Sequence, residues 1–248
     1  MSASLKPPLT SAANVHAALK RDGHAVLSAN ALATLCGVRV QDFSAWSERW
    51  NDLPSDRYLL DGGHYRQRRH SCFIVRDGAI EPVPQRPHWQ SVEYNALHGG
   101  IERHFEPMAG EWTQDPAWQA LLSGLGQCAS RLIGAQPWFV EAHPFRITTA
   151  GGIGRPTPEG AHRDGVDFVA VMLVSRSGIK GGETRVFDAH GPTGQRFTLD
   201  EPFSALLLDD ARVIHESTPI QPSDAAHEGH RDTLVLTYRA KNFQGPAV

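Results

Sequence analysis

"EGAHRDGVDFVAVMLVSRSGIKGGETRVFD", residues 159–188, holds two apolar runs, 166–174 and 184–188, joined by the turn signal "SGIKGG". Both runs have strand composition and strand length, and nothing between them can make a crossover helix. Just before the first run, His162 and Asp164 stand two residues apart with Arg163 between them. On an extended strand His162 and Asp164 would share a face, about 6–7 Å apart along the chain, with Arg163 on the other. That pairing suits a shared metal ion, although surface strands carry the same letters by chance.

The same pattern extends in both directions. From Pro137 onward strands are expected near 138–148, 166–174, 184–188, 195–199, 204–209, 212–217 and 233–239, separated by "AGGIG", "SGIKGG", "HGPTG" and "DD". Many short strands without intervening helices predict an antiparallel sandwich or barrel such as a jelly roll. Upstream, 10–23 reads as a short helix closed by Gly23, "HAVLS" as a strand, and Ser28 as the cap of a helix through Leu35. Phe43, Trp46, Trp50 and Leu53 recur at helical spacing and read as core. "HYRQRRHSCFIV", "RDG" and "AIEPVP" read as a hairpin turning at Asp77-Gly78, and 115–134 as a helix with Asp115 as cap and Pro116 at its first position. The fold class is α+β, with N-terminal helices packed on a β core. One domain is expected over 1–248: a loose tail (1–9), a helical and hairpin support (10–134) and the β core (135–240).

With 40% hydrophobic and 21% charged residues, the 248-residue chain has a globular composition. A net charge of −3 gives no footprint for nucleic acid or an anionic membrane. The dense basic run "RQRR" (66–69) would be split by strand alternation, and Arg66 and Arg68 read as a solvated face. No apolar stretch reaches the ~20 residues of a membrane span. No secretory leader is evident at the N-terminus, and Cys36, Cys72 and Cys128 form no CxxC pair, so a cytoplasmic location is expected.

His215 lies in another apolar segment, 51 residues beyond Asp164. His-x-Asp from one strand and His from a distant one is the ligand set of non-haem Fe(II) sites with open positions. Sixteen residues after His215, Arg231 opens the strand "HRDTLVLTYR". A planar, permanently charged guanidinium there could neutralise the far carboxylate of a metal-bound dicarboxylate. Arg239 shares its face and competes for the role. The bland alternative for Arg231 is a surface ion pair with Asp232 or Asp210. His143 reads as a structural histidine, and the adjacent Pro144 as a strand edge or bulge.

Taken together, "GRPTPEGAHRDGVDFVAVMLVSRSGIKGGETRVFD", "LLLDDARVIHESTPI" and "HRDTLVLTYR" resemble the bacterial 2-oxoglutarate/Fe(II) dioxygenases of the L-isoleucine hydroxylase and biofilm-stress-and-motility protein type. The resemblance implies a double-stranded β-helix (cupin-like) core. It implies His162, Asp164 and His215 as iron ligands and Arg231 as the 2-oxoglutarate anchor. Fe(II), 2-oxoglutarate and O2 would be the cofactors, and a free aliphatic L-amino acid the substrate to be hydroxylated or sulfoxidised. Thr184 is a candidate facing the co-substrate. In the loop 153–160, Arg155 is a candidate for the substrate carboxylate and Glu159 for its ammonium. Gly181 and Gly182 are expected to serve backbone geometry. The expected partners are a small molecule and at most a second copy of the chain as a homodimer, with no nucleic acid or membrane. Rival readings are a zinc hydrolase using the same ligands, a non-catalytic cupin-like sensor or biofilm-stress regulator, and a protein hydroxylase.

Overall fold

The computed structural model describes residues 5–246. In chain order its elements are α1 (Val15–Asp22), β1 (His24–Leu27), α2 (Ala29–Cys36), α3 (Val40–Ser44), β2 (Arg66–Arg68), β3 (Ser71–Arg76), β4 (Ala79–Pro82), α4 (Gly110–Thr113) and α5 (Pro116–Ile133). They continue with β5 (Trp138–Thr148), β6 (Phe168–Ser177), β7 (Ile179–Gly181), β8 (Thr184–Asp188), β9 (Gly194–Phe197), β10 (Ala205–Asp209), β11 (Val213–Ser217), β12 (Ile220–Pro222) and β13 (His230–Ala240). Every named strand pair is antiparallel. The large sheet has the order β1-β10-β6-β13-β5-β3-β4, with β2 also on β5. Smaller sheets, β11-β8-β9 and β12-β7, lie apart from that path.

Alternation along the central strands makes two compartments. Phe168, Ala170, Met172, Leu234, Leu236 and Tyr238 pack with the helices in the main core, alongside Trp46, Trp50 and Trp118. Val169, Leu173, Leu206 and Leu208 face the other way and meet Val186, Phe197 and Val213 from the smaller sheet. Toward one end this second compartment becomes polar. There Glu141, His143, Phe145 and Ile147 of β5 and Arg231, Thr233, Val235 and Thr237 of β13 line a cavity.

The strands expected from Pro137 onward are all present, and the jelly-roll reading holds. Ser28 Oγ accepts from the Ala31 N–H and Asp115 from the Ala117 N–H, so both helix caps form as expected. Three expectations change. The helical spacing of Phe43, Trp46, Trp50 and Leu53 is not one continuous helix: α3 stops at Ser44, whose hydroxyl donates back to the Gln41 carbonyl, and a 3₁₀ segment follows, Ser47–Asp52; Phe43, Trp46 and Trp50 are nonetheless core. Residues 1–4 of the expected loose tail lie outside the described residues. The rest of it is held, since the Leu5 carbonyl accepts from Thr198 and Leu9 bridges β1 at Val26. Pro144 sits inside β5 rather than at an edge. Its missing N–H is tolerated because the facing chain is broken there between β2 and β3. Among the described residues no helix is long and apolar enough to cross a membrane.

Candidate active site

His162 and His215 stand directly opposite one another and exchange both backbone hydrogen bonds, at 3.0 and 2.9 Å. The 52 intervening residues are the β6–β10 excursion that brings β11 back alongside. His162 belongs to an isolated bridge, not a full strand, and the chain turns after it. Gly165 takes φ +76°, where a Cβ would strike the Tyr94 ring at 2.4 Å. The turn brings Asp164 Oδ1 to 3.7 Å from His162 Nε2 and Oδ2 to 3.8 Å from His215 Nε2. These atoms all lie within 4.8 Å of one another, close enough to share one ion.

Hydrogen bonds set the direction of the lone pairs. His162 Nδ1 lies 2.9 Å from the Gly160 carbonyl, which can only accept, so Nδ1 carries the proton and Nε2 turns inward. Asp210, buried, accepts from the backbone N–H groups of Asp164, Gly165 and Val166 at 3.0, 2.8 and 3.1 Å and fixes the turn. Gln90 Nε2 donates to Asp164 Oδ1 at 3.4 Å, while Gln90 Oε1 accepts from Arg103 and Asn95. Burial opposes charge on His162, but Asp164 and Glu159 outweigh it and raise its pKa to about 10. Burial pushes Asp164 up, yet His162 holds it down at about 2. Burial, and then the neighbouring His162, lower His215 to about 4. Without a cation, one proton thus neutralises the carboxylate. Two imidazole nitrogens and a carboxylate converge here, with His162 tied to the Gly160 carbonyl, the Asp164 turn held by Asp210 and His215 Nδ1 buried without a partner; they form a donor set that fits a divalent transition metal.

Arg231 lines the same cavity, 3% exposed, and its Nε has no partner. Burial, chiefly, lowers its pKa to about 10. Neither surface pairing expected as the alternative occurs: Asp232 binds Arg146 at 2.8 Å and Asp210 binds backbone. Arg239 shares the strand parity, but its guanidinium turns to the Asn242 and Phe243 carbonyls, off the cavity. Thr184 is buried with an unpartnered hydroxyl and does not line the cavity. Gly181 and Gly182 adopt φ +82° and +69°, and a Cβ on Gly181 would meet the Pro219 carbonyl at 2.3 Å, so both are backbone positions.

From the loop 153–160, Pro156, Thr157 and Glu159 face the cavity, with Glu159 Oε1 3.5 Å from His162 Nε2. Arg155 does not reach it. Half-exposed, it turns to Asp61 at 3.4 Å. The larger correction concerns "RQRR". Arg66 and Arg68 are 6% and 3% exposed and line the cavity wall; the inward side of this strand faces polar space, so charge patterning read outward was misleading. Sequence reasoning also missed Gln90, Asn95 and Arg103, which lie in the irregular stretch between β4 and α4 where periodicity says nothing.

A second buried cluster adjoins the cavity: His70, His88, Glu141 and His143. Glu141 Oε2 lies 3.0 Å from His70 Nε2, 2.5 Å from His88 Nδ1 and 3.7 Å from His143 Nε2. Burial pulls the pKa of all three imidazoles down, His88 to about 3. Burial raises Glu141, but its contacts with His88 and His70 outweigh that and hold it well below the carboxylate range.

The family profile described as 2OG-Fe dioxygenase matches residues 47–237, which span both the cavity walls and the three converging ligands. The chain belongs to the 2OG-Fe dioxygenase family. Members use Fe(II), 2-oxoglutarate and O2, and the His/Asp/His group of this dioxygenase is the metal-binding group such chemistry needs. The dioxygenase is similar over 98% of both chains to a solved bsmA homolog from Methylobium petroleophilum PM1, at 53% identity and a TM-score of 0.92. It shares the fold of the Fe(II)/α-ketoglutarate-dependent dioxygenase TqaL, with 19% identity, a TM-score of 0.70 and coverage of 94% of this chain and 90% of that one. It is 23% identical over 84% of its length to the bifunctional enzyme flvA of Aspergillus flavus, of which it spans 28%.

Proposed function

We propose that this dioxygenase hydroxylates, or sulfoxidises, the side chain of a free aliphatic L-amino acid, with Fe(II) on His162, Asp164 and His215 and the distal carboxylate of 2-oxoglutarate on Arg231. The observation that carries the reading is a buried guanidinium without an acidic partner, in the same cavity as three converging metal-ligand atoms. A zinc hydrolase has no use for such a cation. Bound iron supplies the oxidising chemistry, by which 2-oxoglutarate and O2 become succinate and CO2 while one oxygen atom goes to the substrate.

The chain's own residues have three tasks. Gly160 and Asp210 hold the ligands in place, Arg231 neutralises the dianion, and Val166, Val171 and Val235 keep the reaction space apolar. The cavity walls and the loop at 156–159 leave room for a small molecule, which favours a free amino acid over a protein segment. The test is succinate release with Fe(II), 2-oxoglutarate and each of the twenty L-amino acids. Stimulation by an aliphatic or thioether amino acid, with a product heavier by one oxygen atom, is expected. Succinate formation that no amino acid stimulates would contradict the substrate class.

A further inference from the structure

Arg68 and Arg103 are anomalous. Both are almost fully buried in the cavity wall, and neither meets a carboxylate. The Arg68 guanidinium is sandwiched between Phe105 and Phe145, 3.9 and 4.3 Å from the ring centroids, and makes one hydrogen bond, to His143 Nδ1 at 2.7 Å. The Arg103 guanidinium donates only to Gln90, and Nε of each arginine is buried without a partner. Arg66 differs, for it is paired with Asp56 at 2.7 Å. A permanent charge kept out of water without a counter-ion is stable only if the rest of the protein holds it there, and it is poised for an anion from outside. The 2-oxoglutarate dianion is already allotted to Arg231.

The acids of the cavity match these two cations. Glu141 takes its hydrogen bonds on Oε2, and no protein donor reaches Oε1. Glu159 Oε2 is buried and unpartnered. Leaving aside the metal ligand Asp164, the paired Arg66 and Arg231, which is allotted to 2-oxoglutarate, two positive and two negative side chains remain. A guest that fits them carries one charge of each sign and none overall. Arg68 and Glu141 stand on opposite edges of one imidazole, since His143 accepts from Arg68 at Nδ1 and points Nε2 at Glu141. One ring width is the scale on which an α-carboxylate and its ammonium are separated.

The Glu141 cluster has the composition of a second metal site, but the protons point the wrong way. Arg68 can only donate, so the His143 proton lies on Nε2, facing Glu141. The neutral rings of His70 and His88 likewise donate to Glu141. No lone pair faces the shared point, and a guanidinium stands beside it.

Resting on the reading of this cavity as an amino-acid dioxygenase site, we infer that Arg68, supported by Arg103, binds the substrate α-carboxylate and Glu141 its ammonium. The aliphatic side chain is thereby directed past Val166, Val171 and Val235 toward the His162/Asp164/His215 group. The experiment is calorimetric binding to protein carrying Mn(II) and 2-oxoglutarate. The probes are the L-amino acid that stabilises the protein most in a thermal screen of all twenty, its des-amino carboxylic acid and its decarboxylated amine.

Both analogues should bind at least about tenfold more weakly to the wild-type protein. Arg68→Gln should weaken the amino acid and the des-amino acid alike. Glu141→Gln should weaken the amino acid by about tenfold while leaving the des-amino acid unchanged, and 2-oxoglutarate affinity should survive both substitutions. The wild-type comparison stands even if a variant fails to fold. Amino-acid binding and turnover unaffected by either substitution, or analogues that bind as well as the amino acid, overturn the inference and leave the proposed activity intact. Binding of none of the twenty overturns both. A second equivalent of Mn(II) lost on Glu141→Gln would make the cluster a metal site instead.

Discussion

Two histidine–carboxylate clusters share one cavity, yet their electrostatics are opposite. In the first, the backbone carbonyl of Gly160 takes the Nδ1 proton of His162, so the Nε2 lone pair turns toward Asp164, and no arginine stands at the centre. In the second, Arg68 occupies the Nδ1 lone pair of His143, so the proton turns inward toward Glu141. The first attracts a cation in place of a proton. The second is a hydrogen-bonded anion ringed by neutral imidazoles. Ligand-type residues within a few ångströms of each other make a metal centre only when lone pairs face the shared point, a direction that an outer hydrogen bond such as that of His162 to Gly160 can set.

The largest test of that contrast is the loss of a ligand. Asp164→Ala should leave no detectable turnover and no tight metal binding, because it removes the one carboxylate of the three-ligand group, whereas Glu141→Gln should retain its metal. Metal content after desalting separates the two.

Next comes Arg231→Ala, expected to weaken 2-oxoglutarate binding by about 2–5 kcal/mol, since it strands one end of a dianion in a dry pocket. Calorimetric titration with 2-oxoglutarate measures it, and Arg239→Ala serves as the control with no comparable loss.

A smaller effect should follow Gln90→Leu, which removes a donor from Asp164 and a partner from Arg103. Metal affinity should fall by about tenfold or a little more, read from competition with a fluorescent chelator.

The mildest test is pH. In the second cluster the folded-state pKa values of the histidines are depressed, His88 to about 3, so below the unfolded value of ~6.5 the unfolded chain binds more protons and stability is lost as pH falls. His162 acts in the opposite sense. Raised to about 10 in metal-free protein, it contributes stability below ~6.5 that is lost as pH rises toward 10. Each limb is worth at most about 1.4 kcal/mol per pH unit per group. Denaturant unfolding should show His88→Gln flattening the acid limb and Asp164→Asn the alkaline one.

Much of this was legible in the sequence, for reasons that also mark where legibility stops. Short apolar runs between turn signals mark β5, β6, β10 and β13, and His-x-Asp with a distant histidine marks the metal-binding group. Alternation, however, tells which residues share a face and not which face is inside. Arg66 and Arg68 therefore read as solvent-facing although their face lines a polar cavity. Glu141 and His143 carried a usable signal, being in phase with Phe145 and Ile147 on a strand next to Arg231's, but their partners His70 and His88 arrive from a broken strand and a loop. Arg155 and Glu159 lie in a loop, where nothing in the sequence says which side chains turn inward. Only Glu159 does.

The most direct measurement is an anaerobic titration of the metal-free protein with Fe(II) in the presence of 2-oxoglutarate, followed by the visible charge-transfer absorbance. The band should saturate at one iron per chain, persist in Glu141→Gln and be absent from Asp164→Ala. A band that survives Asp164→Ala but vanishes with Glu141→Gln would contradict the account.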